Sequence, residues 1–320
     1  MNDGAAELAG TLPSWRPGPA RDAILDFVAR VTAWGEPAYV PAEERIAVFD
    51  NDGTLWCETP APVQAFFVDA RLRALVRDHP EWRTTEPFRS ALAGNLRAVA
   101  SQGEKAVAEL TMATHAGMTT EEFEALVRDW LARARHPELG VPHTGAVFQP
   151  MLEVLRLLRW TGFATYIVSG GGVEFMRVFA QDVYGVPPHQ VIGSTIRTHF
   201  EVRAGVPVLV RDPSPDFLED GPGKPVAIHR SIGRRPLVCF GNADGDREML
   251  MWTTVGRTDG RDALGVIVHH TDAAREWGYD PQQVPGSRLD RALAEAPGYG
   301  WVVADMRLDW KTVFPPAAGR

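Results

Sequence analysis

Two carboxylates one residue apart, Asp50 and Asp52, stand where the apolar run Ile46-Ala47-Val48-Phe49 gives way to Asn51, Asp52 and Gly53. Four apolar residues in a row predict a strand buried on both faces, and Asn, Asp and Gly end it because they break the ladder and tolerate tight turns. Acids so close repel one another unless a cation or a shared proton intervenes. Mg²⁺ with a phosphate ester is the common way in which hard oxygen ligands meet that need. A Ca²⁺ loop would need further oxygen ligands and a closing Glu at its own spacing, which this stretch lacks, and a plain polar turn is the remaining alternative.

Three later stretches carry chemistry of the same kind. Ser169-Gly170-Gly171 follows the predicted strand Ala164 to Val168 and reads as the opening of a helix, where a hydroxyl and free backbone N–H groups would cradle a phosphate. An ordinary Ser cap would have the same composition. Gly223-Lys224-Pro225 reads as a second helix start, with Pro in its first turn. A lysine is unfavourable beside a helix's positive end, so Lys224 calls for an anionic partner unless it is a solvated loop residue. The run Leu237 to Gly241 predicts a further strand, and it empties into Asn242-Ala243-Asp244-Gly245-Asp246.

A strand followed by Asp50-Asn51-Asp52-Gly53-Thr54, and then these three stretches in this order, resembles the motif set of the haloacid dehalogenase (HAD) superfamily. The resemblance extends from about Arg45 to Leu250 and is to the phosphoserine-phosphatase-like branch. It implies a Mg²⁺-dependent phosphomonoester hydrolase in which Asp50 attacks phosphorus, Asp52 serves as acid and then base, and Ser169 and Lys224 hold the phosphoryl oxygens. Substrate contacts are implied at Thr54, Gly170 and Gly171 and at the acidic cap residue Glu58, although Glu58 is about one residue out of the family's register. Metal ligands are implied at Asp50, Asp52, Asn242 and Asp246, with Asp244 as an alternative. Asn242 departs from the pattern, because related phosphatases usually carry an acid there. Asp52 argues against dehalogenase and phosphonate-cleaving chemistry. A catalytically silent phosphate-binding regulator and a phosphotransferase using the same aspartyl-phosphate remain as alternatives.

The elements that must position these residues follow from periodicity. Ile24, Leu25, Phe27, Val28 and Val31 repeat at helical spacing, which predicts a helix ahead of the first strand. Between Leu55 and Val147 strand patterns stop, and helices are expected at Val63 to Val76, Pro87 to Ser101, Glu104 to His115 and Thr120 to Ala134, the last capped by Thr119 or Thr120. We therefore expect a doubly wound, mainly parallel α/β core of residues 1–55 and 148–320 with an inserted helical cap, residues 56–147, over the site; an independent helical interaction domain is the alternative. His79, His115, His136 and Trp56 in that segment read as structural residues. Past Gly162 the α/β rhythm returns. A hairpin is expected around Ala204-Gly205 with Pro207 at a sheet edge, a helix from Arg247, and strands at Gly265 to His269 and Trp301 to Ala304. His269, His270 and Asp272 invite a metal reading that adjacent residues on a strand oppose, since they point to opposite faces.

Composition excludes other classes. The chain has 320 residues, 33 Lys and Arg against 41 Asp and Glu, and a formal charge of −8, without a basic cluster of the kind nucleic acid recruits. Its cysteines, Cys57 and Cys239, lack disulfide or metal spacing. No signal peptide is read in Met1 to Ala20, and no run is long enough for a membrane span. A cytoplasmic protein acting on a small phosphorylated metabolite, with neither nucleic-acid nor membrane partner, is the expectation.

Overall fold

The computed structural model describes residues 10–279 and 288–316, so the first nine residues, on which part of the signal-peptide reading rests, lie outside it. In chain order its elements are α1 (Pro19–Thr32), β1 (Ile46–Phe49), α2 (Val63–Leu75), α3 (Phe88–Leu92), α4 (Leu96–Ser101), α5 (Glu104–His115), α6 (Thr120–Arg133) and α7 (Gln149–Trp160). Then follow β2 (Ala164–Gly172), α8 (Val173–Tyr184), β3 (Val191–Arg203), β4 (Val206–Phe217), α9 (Gly223–Ile232) and β5 (Val238–Gly241). The chain continues through α10 (Arg247–Thr254), β6 (Leu264–His269), α11 (Arg291–Tyr299), β7 (Val302–Asp305) and α12 (Met306–Asp309).

The strands form one seven-stranded sheet in the order β4-β3-β2-β1-β5-β6-β7. All neighbours pair in parallel except β3 and β4, which form the antiparallel edge. The apolar run of β1 is explained by its place at the centre. Ala47 and Phe49 face one hydrophobic layer, where Phe49 stacks on Phe240 of β5 at 4.6 Å, and Ile46 and Val48 face the other with Cys239 and Ile267. Between β1 and β5 the winding reverses, and in an open α/β sheet the crevice outside the carboxyl ends at such a point is where ligands bind.

The structure differs from the sequence reading in three places. Ser169-Gly170-Gly171 does not open a helix: β2 runs on through Gly172, with a register shift against β3, and α8 starts at Val173. Across the shift Gly172 pairs with Ser194, whose hydroxyl donates to the Gly170 carbonyl at 2.8 Å. The helix expected from Pro87 to Ser101 is two short ones, divided where Gly94 takes φ 72° and Asn95 accepts from the Ala98 N–H to start α4. The hairpin is longer than its alternating residues suggested. Ala204 (φ 48°) and Gly205 (φ 83°) form its two-residue turn, whose positive φ values match the twist of the flanking strands.

The segment from α2 to α6 has a small core of its own, including Leu72, Trp82, Phe88 and Leu110, while Phe67, Phe123, Val127 and Leu131 join the main core. The edge hairpin is fastened to it. Arg211 of β4 donates from its backbone N–H to the Met118 carbonyl at 3.0 Å and from Nε to the His115 carbonyl at 2.8 Å, and its guanidinium lies over the Phe123 ring at 3.9 Å. A capping box between Thr119 and Glu122 starts α6, as the Thr-Thr-Glu-Glu spelling predicts.

Candidate active site

Asp50 follows β1, and its backbone N–H donates to the Phe240 carbonyl of β5 at 2.9 Å, so the parallel pairing carries one residue beyond the strand. The chain then turns tightly: Leu55 N–H reaches the Asn51 carbonyl at 2.8 Å and Gly53 N–H the Trp56 carbonyl at 2.9 Å. Gly53 adopts φ 72°, and a Cβ there would lie 2.0 Å from Asn242 Nδ2 and 2.3 Å from Glu58 Oε1. No other residue type meets both conditions.

Lys224, at the start of α9, is buried. Its ammonium donates to Asp50 Oδ1 at 2.7 Å, Asp246 Oδ1 at 2.6 Å and the Val168 carbonyl at 3.0 Å, which uses all three of its protons. Burial works against its charge, but Asp246 and Asp50 more than reverse that and hold its pKa above the usual value. Asp50 is pushed well above the carboxylate range by burial first and then by the charge of Asp246, with Lys224 pulling it down. Asp52 is also raised by burial, against the hydrogen bond that Trp56 Nε1 donates to its Oδ1 at 2.6 Å. An acid so raised is suited to carry a proton to a leaving oxygen.

A cavity of about 250 Å³ opens beside these groups, and its wall includes Asp50, Asp52, Glu58, Ser169, Gly170, Gly171, Lys224, Asn242 and Asp246. The fold thus brings nine of the ten sequence-derived site residues to one place. Thr54 is the exception and a correction: it is fully buried, and its hydroxyl donates to Asn242 Oδ1 at 3.0 Å, so it positions Asn242 rather than touching substrate. Asp246, expected as a metal ligand, anchors Lys224. Its Oδ2 accepts from the backbone N–H groups of Asn242 (2.9 Å) and Ala243 (3.0 Å) while its Oδ1 takes the ammonium. Asp244, the alternative ligand, accepts from the Ala292 N–H at 2.9 Å. Asn242 donates from Nδ2 to Glu58 Oε1 at 2.9 Å, which gives the amide a reason: an aspartate there would oppose a second carboxylate.

Among the described residues no three His, Cys, Asp or Glu side chains form a ready-made metal cluster. The donors that do converge, the Asp50 and Asp52 carboxylates at one cavity wall with Lys224 beside them, are hard oxygen atoms. That suits an ion such as Mg²⁺, which keeps several waters and is held by one or two carboxylates together with a substrate phosphate.

Several functional contacts escaped the sequence reading. Gln64, on α2, lines the cavity, accepts from the Gly172 N–H at 2.8 Å and shares a hydrogen bond of 3.1 Å with His115 Nε2. Trp56 grips Asp52 while stacking on Phe179 at 4.5 Å. His270 bonds Glu276 Oε2 at 2.9 Å and the Gly53 carbonyl at 2.7 Å, so it braces the nucleophile loop. A helix glutamine, a loop tryptophan and a strand-end histidine carry no local signal of these roles.

Glu219, the residue before Asp220 of the cavity wall, is fully buried and neither carboxyl oxygen has a hydrogen-bond partner. Burial lifts its pKa to about 8, against the pull of Lys224 and Arg230. The folded state therefore binds its proton more tightly than the unfolded chain, where a glutamate titrates near 4.5. The stability it contributes is complete below that value and disappears as pH rises through 8. Glu219→Gln should consequently melt above the parent at pH 9 and show a smaller loss between pH 5 and pH 9. Parallel melting curves across that range check it.

A second cavity, of about 400 Å³, lies along β3 between α8 and α9 and includes Arg177, Arg197 and Arg230; none of the motif residues lines it.

Residues 47–251 match the family model described as haloacid dehalogenase-like hydrolase. No curated protein matches the chain. Among solved structures, the fold is similar to that of a conserved functionally unknown protein from Anaerococcus prevotii DSM 20548, at 17% identity and a TM-score of 0.55 over 79% of this chain and 86% of that one. It is likewise similar to a protein with unknown function from Bordetella pertussis Tohama I, at 16% identity and a TM-score of 0.52 over 82% of this chain and 99% of that one. A phosphoserine phosphohydrolase-like protein from Francisella tularensis subsp. tularensis SCHU S4 aligns at 16% identity with a TM-score of 0.37, over 78% and 98% of the two chains. Likeness at these identities speaks to the fold alone.

Proposed function

The chain belongs to the haloacid dehalogenase-like hydrolases, and on that premise we propose that it hydrolyses a small phosphate monoester through an aspartyl-phosphate on Asp50. The observation that carries this reading is the buried pairing of Asp50 with Lys224 at 2.7 Å, beside an Asp52 raised by burial. An Asp50 oxygen would attack phosphorus as the ester P–O bond breaks, and Asp52 would deliver its proton to the departing alcohol oxygen. Asp52, now ionised, would take a proton from water as that water attacks phosphorus, releasing inorganic phosphate and restoring the Asp50 carboxylate. Ser169 and the Gly170 and Gly171 backbone would orient the phosphoryl oxygens, with Lys224 favouring the ionised form of Asp50 against its burial.

Mg²⁺, when bound, would supply positive charge against the phosphoryl oxygens. Its protein donors would be the Asp50 carboxylate, the Asp52 main-chain carbonyl and the Asn242 carboxamide oxygen. The helical segment of residues 56–147 would serve as the cap that excludes water. Turnover of p-nitrophenyl phosphate by purified protein, abolished by EDTA and restored by Mg²⁺, tests the proposal. Equal release of phenol and inorganic phosphate distinguishes hydrolysis from transfer to an alcohol, and an inert protein that binds phosphate would overturn it.

Asn242 offers a test of the metal donors that does not depend on activity. In Asn242→Asp a second carboxylate faces Glu58, so the metal-free variant should melt below the parent and gain more from Mg²⁺ than the parent does. A thermal titration with Mg²⁺ reads both effects. An unchanged Mg²⁺ response would remove Asn242 from the donor set.

A further inference from the structure

The cavity of about 400 Å³ beside β3 is lined by three arginines, Arg177 of α8, Arg197 of β3 and Arg230 of α9. β4 joins β3 only from Thr195 onwards, and the cavity opens beside the stretch Val191 to Gly193, which has no such neighbour. Among the described residues none of the three arginines enters an ion pair. Arg177 uses its Nε on the Pro188 carbonyl at 3.0 Å, and partial burial lowers its pKa with no carboxylate to oppose the shift. Arg230 lies over the neutral Phe217 ring at 4.4 Å. Arg197 is exposed and makes no hydrogen bond. Two carboxylates share the wall: Glu174 is ion-paired with Arg211, and Asp216 accepts from the Thr195 hydroxyl at 2.9 Å. The buried Glu219 is within electrostatic reach of Arg230, but a pKa of about 8 keeps it largely protonated near neutral pH. Three positive charges therefore face one unpaired negative charge, in a chain whose formal charge is −8.

We propose that this cavity is a second ligand site, separate from the nucleophile, for a small organic anion bearing two or more phosphate or carboxylate groups. Guanidinium groups grip both kinds of oxyanion through paired N–H donors, and three of them lining one space without counter-ions repel one another until an anion is bound. The volume falls within the range of small-molecule sites and exceeds what a lone inorganic phosphate fills, which favours an organic ligand. Thr120 of the helical segment also lines the cavity, so an occupant would touch that segment and the α/β core together. The site is independent of the phosphatase reading, since none of its residues has a part in that reaction.

Calorimetric titration with methylenediphosphonate and with tricarballylate, in EDTA without Mg²⁺, tests the proposal. Neither probe has an ester bond to cleave, and without metal the carboxylates of the nucleophile cavity repel both. Saturable binding of at least one probe, at a single site per chain, is expected, and the probe that binds tells a phosphate-like ligand from a carboxylate. Replacing the arginines together, Arg177→Gln with Arg197→Gln and Arg230→Gln, should weaken that binding by about tenfold or more. Arg197→Gln alone keeps the test decisive should the triple variant fail to fold: Arg197 makes no hydrogen bond or ion pair among the described residues, so this variant should melt with the parent and still bind more weakly. If neither probe saturates the parent, or if the variants bind as tightly as the parent does, the cavity is not an anion site and the proposal is wrong.

Discussion

Asp50→Asn is expected to abolish turnover of p-nitrophenyl phosphate, by roughly 10⁴-fold or more, because the attacking group itself is removed. The protein should melt no lower than its parent. Burial and the neighbouring Asp246 hold the Asp50 pKa well above its ordinary value, so its charge opposes folding near neutral pH, and a neutral amide relieves that cost. Lys224 retains Asp246 at 2.6 Å and the Val168 carbonyl at 3.0 Å, and an Asn carboxamide oxygen can still accept its third proton. Activity and stability should therefore move in opposite directions. Single-turnover assays and melting curves on one preparation decide the matter: appreciable residual turnover would remove Asp50 as the nucleophile, and a lower melting temperature would overturn the stability expectation.

Asp52→Asn should slow hydrolysis by about 10²- to 10⁴-fold for alkyl phosphates and much less for p-nitrophenyl phosphate, since a nitrophenolate departs without help from a proton. Second-half chemistry would be impaired for every ester, because water then lacks its base. The aryl ester should consequently show a burst of phenol release followed by slow turnover. Trp56 Nε1 would still find an oxygen at position 52, so the loop is expected to stay folded. Equal losses for alkyl and aryl esters, with no burst, would place Asp52 in the fold or at the metal instead.

How much of this was legible in the sequence differs between fold and site. Strands β1, β2, β5 and β6 were legible because a central parallel strand is apolar on both faces, and the stop of β1 is written in Asp50-Asn51-Asp52-Gly53. Of the long strand β3 only the two ends were legible, since between them it leaves the core and carries polar residues such as Thr195, Arg197 and Thr198. At the site, Asp50, Asp52, Ser169 and Lys224 announced themselves by position against a strand end or helix start. Their partners did not, because Gln64 and Gly172 or His270 and Gly53 are far apart in the chain and of ordinary residue types.

The sequence by itself therefore determined the order of the acidic, hydroxyl and lysine groups and the strands that bring each to one edge of a sheet, since both follow from local residue type and periodicity. The tertiary structure alone decided which lone pairs those groups share. Asp246 became Lys224's anchor, Thr54 turned inward to Asn242, and Asn242 acquired Glu58 as a neighbour. It also raised the pKa values of Asp50, Asp52 and Glu219, because desolvation depends on what packs around a carboxylate in three dimensions.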